Sequence, residues 1–344
     1  MGEHIEIRSD QDGAEFARLC ANLQLGALVR TPHAVTGGLL HRMYALETTA
    51  GKFAVKALNP HIMTRPEAMR NFLRSEEIAA IAARTVPALP AKRFNGTSVQ
   101  HADGRYYLVF DWVEGRSLKP SEITVDHCET IGGLLADIHW TDFSLAEREA
   151  AGPNQAKTTD WRAYLQQGQA QRAPWADAVQ ASVNALYDWE AQANHAARLL
   201  AADTVISHLD LDAKNVLWNQ DGPILIDWEA SGSVNPMQNL SDTAVYWSED
   251  GTGDLDKDKF SAFVRAYSRR SGPLQADWQA VVAHGCLGML GWLAYSLKRS
   301  LRIECTDDEE QQLGTEQATA TLHALRRYAD RAADIQQWLR DGSR

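Results

Sequence analysis

The chain has 344 residues, 44% of them hydrophobic and 8% aromatic, enough apolar surface for one large domain or two lobes around separate cores. Its formal net charge of −11 supplies no basic face for a phosphate backbone and argues against a nucleic-acid binder. Cys20, Cys128, Cys286 and Cys305 stand far apart with no C-x-x-C pair, so neither a disulfide framework nor a zinc ribbon is suggested and a reduced, cytoplasmic setting is expected.

The N-terminal stretch MGEHIEIRSD lacks the basic and apolar regions of a secretory signal. Residues 34 to 58, AVTGGLLHRMYALETTAGKFAVKAL, alternate apolar and polar around Gly37-Gly38 and Gly51, which predicts two or three antiparallel strands. Residues 66 to 84 open on Pro66 and place Met69, Phe72, Leu73, Ile78 and Ile81 at helical spacing, one amphipathic helix. Pro87 and Pro90 end it, and RYYLVFDWVEG predicts another strand running to Gly115. Beyond that point CETIGGLLADIHW, WADAVQASVNALYDWEAQANHAARLLA and nearly everything past 256 predict helices. This order gives an α+β class with a lobe boundary near residue 113, separating 1–112 from 113–344.

Three late segments have simple expectations. AVVAHGCLGMLGWLAYSL, 280 to 297, approaches membrane-spanning length, but charged amphipathic segments flank it and no other span accompanies it, so a buried helix and no membrane partner are predicted. Gly285, Gly288 and Gly291 on it predict close helix packing. EDGTGDLDKD, 249 to 258, predicts a solvated loop, and CTDDEEQQ an acidic surface.

The helical half is interrupted by VISHLDLDAKNVLWNQDGPILIDWEASG, residues 205 to 232, which sets His208, Asp210, Asp212, Asn215, Asp227 and Glu229 beside runs of β-formers. On an extended strand, H-x-D-x-D can direct His208, Asp210 and Asp212 at a transition metal, a metallohydrolase pattern that leaves Asn215 and Asp227 unused. As a loop, H-x-D-x-x-x-x-N lets Asp210 accept the proton of a substrate hydroxyl as the catalytic base, while Asn215 and Asp227 hold Mg²⁺ on nucleotide phosphates. A hard cation wants oxygen donors, and these side chains supply them. His208 is then structural. Upstream parts stand in matching order: Lys56 in FAVKAL follows the Gly37-Gly38 turn, and a helical glutamate can pair with it. Glu77 is the choice by its neighbours Ile78 and Ile81, with Glu76 adjacent.

Lys56, Glu77, HLDLDAKN and LIDWE together resemble the aminoglycoside phosphotransferase and choline kinase family, small-molecule kinases with a protein-kinase-like fold. The resemblance runs from about residue 34 to about 300. It implies a bilobal fold, with a small antiparallel-sheet N-lobe and a larger, mostly helical C-lobe. It further implies that ATP or GTP binds with Mg²⁺, that the backbone of Asp111 and Val113 meets the adenine, that Phe110 guards the pocket behind it, and that His139 lies on the helix beneath the catalytic loop. A hydrogen-bonded core histidine is expected at 139.

Three positions depart from the family pattern. Gly37-Gly38 lacks G-x-G-x-x-G, Asp212 stands where many relatives carry His or Lys, and Asn239-Leu240 stands where an Asp-Leu pair is common. Only eight residues separate Asp227 from Pro236, too few for a peptide-docking segment, so the acceptor is expected to be a small hydroxyl compound. Carboxylates at 249, 250, 254, 256, 304, 307 and 308 suit a cationic aminoglycoside or other antibiotic, which would make the role resistance. Tryptophans such as Trp161, Trp175, Trp228, Trp247 and Trp292 can line a site for a quaternary amine, or simply pack. A metabolic kinase of the choline, sugar or amino-alcohol type, and a nucleotide-binding module without turnover, are the alternatives. The oligomeric state is left open.

Overall fold

A computed structural model of the chain describes residues 9–35, 41–146, 158–305 and 307–343. The elements in order are α1 (Ser9–Leu23), β1 (His33–Val35), β2 (Arg42–Thr48), β3 (Gly51–Ala57), α2 (Pro60–Met63), α3 (Ala68–Ala82), β4 (Gln100–Ala102) and β5 (Arg105–Asp111). There follow α4 (Val125–Trp140), α5 (Trp161–Gln171), α6 (Ala176–Leu200), β6 (Val205–Ser207), β7 (Val216–Asn219), β8 (Gly222–Leu225) and β9 (Gly232–Val234). The chain ends in α7 (Pro236–Ser248), α8 (Lys257–Ser271), α9 (Trp278–His284), α10 (Cys286–Ser300) and α11 (Asp308–Gly342).

The fold is α+β and the chain divides into two compact units. The first comprises 1–118, 141–148 and 214–232, the second 119–140, 149–213 and 233–344. The boundary drawn at residue 113 from the change of texture therefore falls a few residues early and misses a return. The β7–β8 hairpin goes back to the first unit, where the Leu225 amide donates to the Pro87 carbonyl at 2.8 Å and the Leu89 amide to the Leu225 carbonyl at 2.9 Å. Its hydrogen-bond partners, not its sequence neighbours, decide where this hairpin belongs.

In the first unit five strands form an antiparallel sheet in the order β1-β2-β3-β5-β4. Alternation along the strands splits it into two apolar faces. Tyr44, Leu46, Phe53, Val55, Tyr107 and Val109 pack with Phe16 and Leu19 of α1, a helix the sequence pattern did not announce. Leu108 and Phe110 face the other way, with Phe72 of α3 and Val99. Lys56, in register with Leu108, is therefore carried inward between apolar residues and is 7% exposed.

The second unit is helical. Within it Gly132 of α4 lets α8 approach so closely that a Cβ there would lie 2.3 Å from the Phe263 carbonyl oxygen. The predicted apolar helix at 280–297 is broken at Gly285 into α9 and α10. Trp278–Ser300 is long and apolar enough to cross a membrane by composition, with mean hydropathy 1.4 over its most apolar stretch. Leu290, Leu293 and Leu297 of α10 are nonetheless buried within the unit. Of its three glycines only Gly285 marks a close approach, with a Cβ there 2.1 Å from the Tyr328 hydroxyl oxygen, whereas Gly288 and Gly291 face open space. Trp161, Trp175, Trp228 and Trp247 are core packing, each at most 1% exposed.

Candidate active site

In the first unit the end of β8 and the turn after it bring two carboxylates to Lys56. Lys56 Nζ donates to Asp227 Oδ1 at 2.6 Å and to Glu229 Oε2 at 2.7 Å. His41, 5% exposed, accepts the Asn59 amide on Nδ1 at 2.9 Å and turns Nε2 to Glu229 Oε2 at 3.5 Å. Burial alone would lower the Lys56 pKa, but Asp227 and Glu229 outweigh it and hold the ammonium above its ordinary value. Burial lowers that of His41. Asp227 sits at φ 62°, ψ 62°, a left-handed conformation that a short polar side chain tolerates better than most. Asn215 is 4% exposed, and its carbonyl accepts the Ile226 amide at 3.0 Å, which ties the two expected metal ligands to adjacent backbone. Asp227 offers carboxylate oxygens and Asn215 an amide oxygen, donors of the kind that fit a hard divalent cation.

The helical glutamate beside Lys56 is Glu76 rather than Glu77. Glu76 is 7% exposed, and its carboxyl group feels the charges of Lys56, Asp227 and Glu229. Its Oε2 accepts the Ala91 amide at 2.6 Å, and burial, only partly offset by that bond and by Lys56, pushes its pKa up to about 7. Glu77 is half-buried one position further around the helix. Helical periodicity placed the right turn inward but could not choose between adjacent residues 100° apart.

At the end of β5 the Trp112 amide donates to the Lys52 carbonyl at 3.1 Å, so alternation turns the backbone groups of Asp111 and Val113 away from β3. The Asp111 side chain is engaged with Lys92 at 2.6 Å. Phe110, 8% exposed, belongs to the α3 face of the sheet. Gly37 and Gly38 lie outside the described residues.

In the second unit the loop after β6 carries Asp210. Leu209 before it has φ 65°, an uncommon conformation for a branched apolar residue. His208 is fully buried and its Nδ1 accepts the Asp210 amide at 3.3 Å, which makes it a structural residue of the loop and removes the metallohydrolase pattern. Among the described residues no group of three His, Cys, Asp or Glu side chains is placed to hold a metal. Below the loop, His139 Nδ1 lies 2.8 Å from the Tyr267 hydroxyl, and its Nε2 lies 3.0 Å from Asn239 Oδ1 and 3.3 Å from Ser207 Oγ. Asn239, at a position where an acid is common, thus supplies an acceptor without a charge. Burial lowers the His139 pKa to about 4, so the imidazole is neutral and a neutral partner suits it. The Trp247 indole fixes the loop again by donating to the Leu211 carbonyl at 2.8 Å.

Asp210 opens into a cavity of about 960 Å³ formed wholly by the second unit. Asp212, Asp242, Glu249, Asp254 and Asp330 line it with Asp210, against Arg327 and Arg331. Tyr246, 61% exposed, and Trp292, 45% exposed, stand at its edge. Of the acids expected to meet a cation, only Glu249 and Asp254 reach the cavity. Asp250 closes a turn onto Thr252, Asp256 caps α8, Glu304 pairs with Lys298 and Asp308 with Arg302. Asp307 caps α11.

The family model of the phosphotransferase enzyme family matches residues 32–278, well over half of the sequence. The chain belongs to the phosphotransferase enzyme family. This phosphotransferase is 25% identical over 295 residues to a homoserine kinase of Brucella anthropi, covering 81% of this chain and 82% of that one. Its fold is that of a spectinomycin phosphotransferase solved with ADP and spectinomycin (TM-score 0.68, 12% identity, 94% of this chain and 99% of that chain). It is also that of a choline/ethanolamine kinase family protein from Mesorhizobium loti (TM-score 0.59, 16% identity, 96% and 99%). A Plasmodium vivax ethanolamine kinase superposes with a TM-score of 0.58 at 14% identity, over 90% and 86%. The phosphotransferase is thus a kinase-like enzyme with an α+β fold.

Three further polar residues join these places in the phosphotransferase. Glu229 was visible two residues after Asp227, where one turn of 3₁₀ helix brings both carboxylates to one cation. His41 precedes β2 with no motif around it. Asp242 gave a faint signal as an acid in an apolar stretch of α7, three residues after Asn239.

Proposed function

We propose that this phosphotransferase moves the γ-phosphoryl group of ATP or GTP to a hydroxyl of a small amine-bearing compound. The observation that carries the proposal is the cavity at Asp210, whose lining sets six carboxylates against two arginines. A cationic or zwitterionic alcohol complements that lining, and its hydroxyl would reach the carboxylate that takes its proton. The relative named as a homoserine kinase acts, by that name, on an alcohol that is also an amine, which supports the same class. The Tyr246 and Trp292 rings and the volume of the cavity favour a larger member, an antibiotic of the aminocyclitol kind, as the second reading; resistance would then be the role.

Asp210 orients the acceptor hydroxyl and takes its proton as the oxygen attacks phosphorus. Lys56 neutralises charge on the nucleotide phosphates, and Glu229 holds its ammonium in place. The backbone of Asp111 and Val113 receives the nucleotide base, and Gly37-Gly38 the phosphates. Asn215 and Asp227 would hold Mg²⁺, which when bound supplies charge neutralisation at the phosphates. Because the 208–215 segment carries both Asp210 and Asn215, the covalent chain keeps the proposed base and the proposed ligand five positions apart.

The test is mass spectrometry of homoserine, ethanolamine, choline, spectinomycin and sugars incubated with Mg²⁺ and ATP or GTP. A gain of one phosphoryl mass that disappears with Asp210→Ala supports the proposal and names the acceptor. Nucleotide binding without any mass gain favours a binding module, and a chain that binds no nucleotide refutes both.

A further inference from the structure

We infer that Asp242, on α7 at the wall of the Asp210 cavity, anchors the protonated amine of the acceptor through N–H hydrogen bonds, an assignment that rests on the kinase reading above. Gln238, one turn earlier, donates its Nε2–H to Asp242 Oδ2 at 3.2 Å. Oδ1 of the same carboxylate and Oε1 of the same amide accept no hydrogen bond among the described residues. Both side chains line the cavity.

Among the described residues no group other than Gln238 donates a hydrogen bond to this carboxylate. The Tyr328 hydroxyl gives its proton to the Val282 carbonyl at 2.9 Å. His284 lines the same cavity, is kept neutral by burial, and has a buried Nδ1 without a partner. Burial, together with the charge of Asp242, raises the Cys286 thiol to about 12. Among the described residues no Lys or Arg makes an ion pair with Asp242. Arg331 lies 3.6 Å from Asp254 and 3.4 Å from Asp334, and Arg327 lies against Gly253.

Asp242 is half-buried at the cavity wall, and a carboxylate that is partly desolvated with one oxygen unused and no counter-charge asks for its complement from the cavity. Burial raises the Asp242 carboxyl to about 6, which still leaves it mainly ionised at neutral pH. A carboxylate oxygen and an amide oxygen that accept nothing match a primary or secondary ammonium, whereas a quaternary amine has no N–H to give. Gly285 keeps this wall open, since a Cβ there would sit 3.4 Å from Asp242 Oδ1 and 2.1 Å from the Tyr328 oxygen.

Isothermal titration of the full chain with ADP and Mg²⁺ present tests the assignment. Ethanolamine, L-homoserine and spectinomycin are the amine probes, with ethylene glycol and 4-hydroxybutanoate as amine-free counterparts of the first two. At least one amine is expected to bind the wild type, more tightly than its counterpart where it has one, and to lose about 10- to 100-fold in affinity in Asp242→Asn, the size of a charge-assisted hydrogen bond. In that variant Asn accepts from Gln238 and turns its own donor toward the ligand. Its melting temperature is expected to equal or exceed the wild-type value, because an uncompensated buried charge is gone, and a purely structural role would lower it instead. If Asp242→Asn does not fold, Gln238→Met, expected to weaken the same amine about 3- to 10-fold, decides by the same criterion.

The assignment is overturned if no amine binds the wild type, if a counterpart binds as well as its amine, or if the deciding variant stays within threefold of wild type. ATP titration and the Asp210→Ala mass assay on the same preparations report on the kinase reading separately. Unchanged amine binding in the variant, with Asp210-dependent turnover intact, removes Asp242 alone; absent nucleotide binding removes the kinase reading.

Discussion

Lys56 shows how a buried charge is stabilised by geometry. Two carboxylates within 2.7 Å repay the hydration it loses, and both are partly exposed, so solvent screens part of their attraction. Lys56→Met leaves Asp227 and Glu229 together without a cation. It should lower stability by about 1–2 kcal/mol and weaken ADP binding about tenfold or more, read by thermal melting and titration. Asp210→Ala should reduce turnover about 10²- to 10⁴-fold with ADP affinity unchanged. Glu76 has a pH signature. Its carboxyl rises from 4.5 to about 7 in the fold, so the folded chain holds a proton that the unfolded chain has released between those values. Its contribution is therefore present at low pH and lost as pH rises through 7, by up to about 3 kcal/mol. Denaturant unfolding at pH 5 and pH 8 should show this loss in the wild type and a smaller one in Glu76→Gln.

At the scale of elements, close backbone approach and loop support are the determinants. A Cβ at Gly132 meets backbone rather than a flexible side-chain tip, so α4 and α8 must separate to admit it. Gly132→Ala should cost about 1–3 kcal/mol, or more, in denaturant unfolding, although alanine is the better helix former. The loop that carries Asp210 follows β6, whose Ser207 joins Tyr267 and Asn239 around His139, and half of this was legible in the sequence. A hydrogen-bonded, half-buried His139 agrees with its apolar helix, but that Asn239 meets it with an uncharged oxygen required the partner, which lies 100 positions away. The same limit explains Glu76 over Glu77 and the break of the apolar run at Gly285. Periodicity assigns a face to a helix but not a contact to a residue.

Over the whole molecule, charge is distributed unevenly in function. The net charge of −11 includes many surface carboxylates that cap helices or pair locally, while a separate set lines the cavity at Asp210. Binding of a cationic acceptor should therefore weaken as salt is raised from about 0.05 to 0.5 M, whereas an uncharged counterpart should not, a comparison readable by titration.

By itself the sequence determined the fold class and most strand and helix blocks, because these follow from periodicity, and it put Asp210, Asn215 and Asp227 forward as candidates through their spacing within one continuous segment. Tertiary structure alone decided that 214–232 packs with the N-terminal strands, that Glu229 joins Lys56 and His41 meets Glu229, and that Asp242 stands at the Asp210 cavity without a counter-charge among the described residues. Each of those facts depends on hydrogen bonds, packing or charge between residues distant in the chain, and on burial, which sets the energy of a charge and leaves no periodic trace in the sequence.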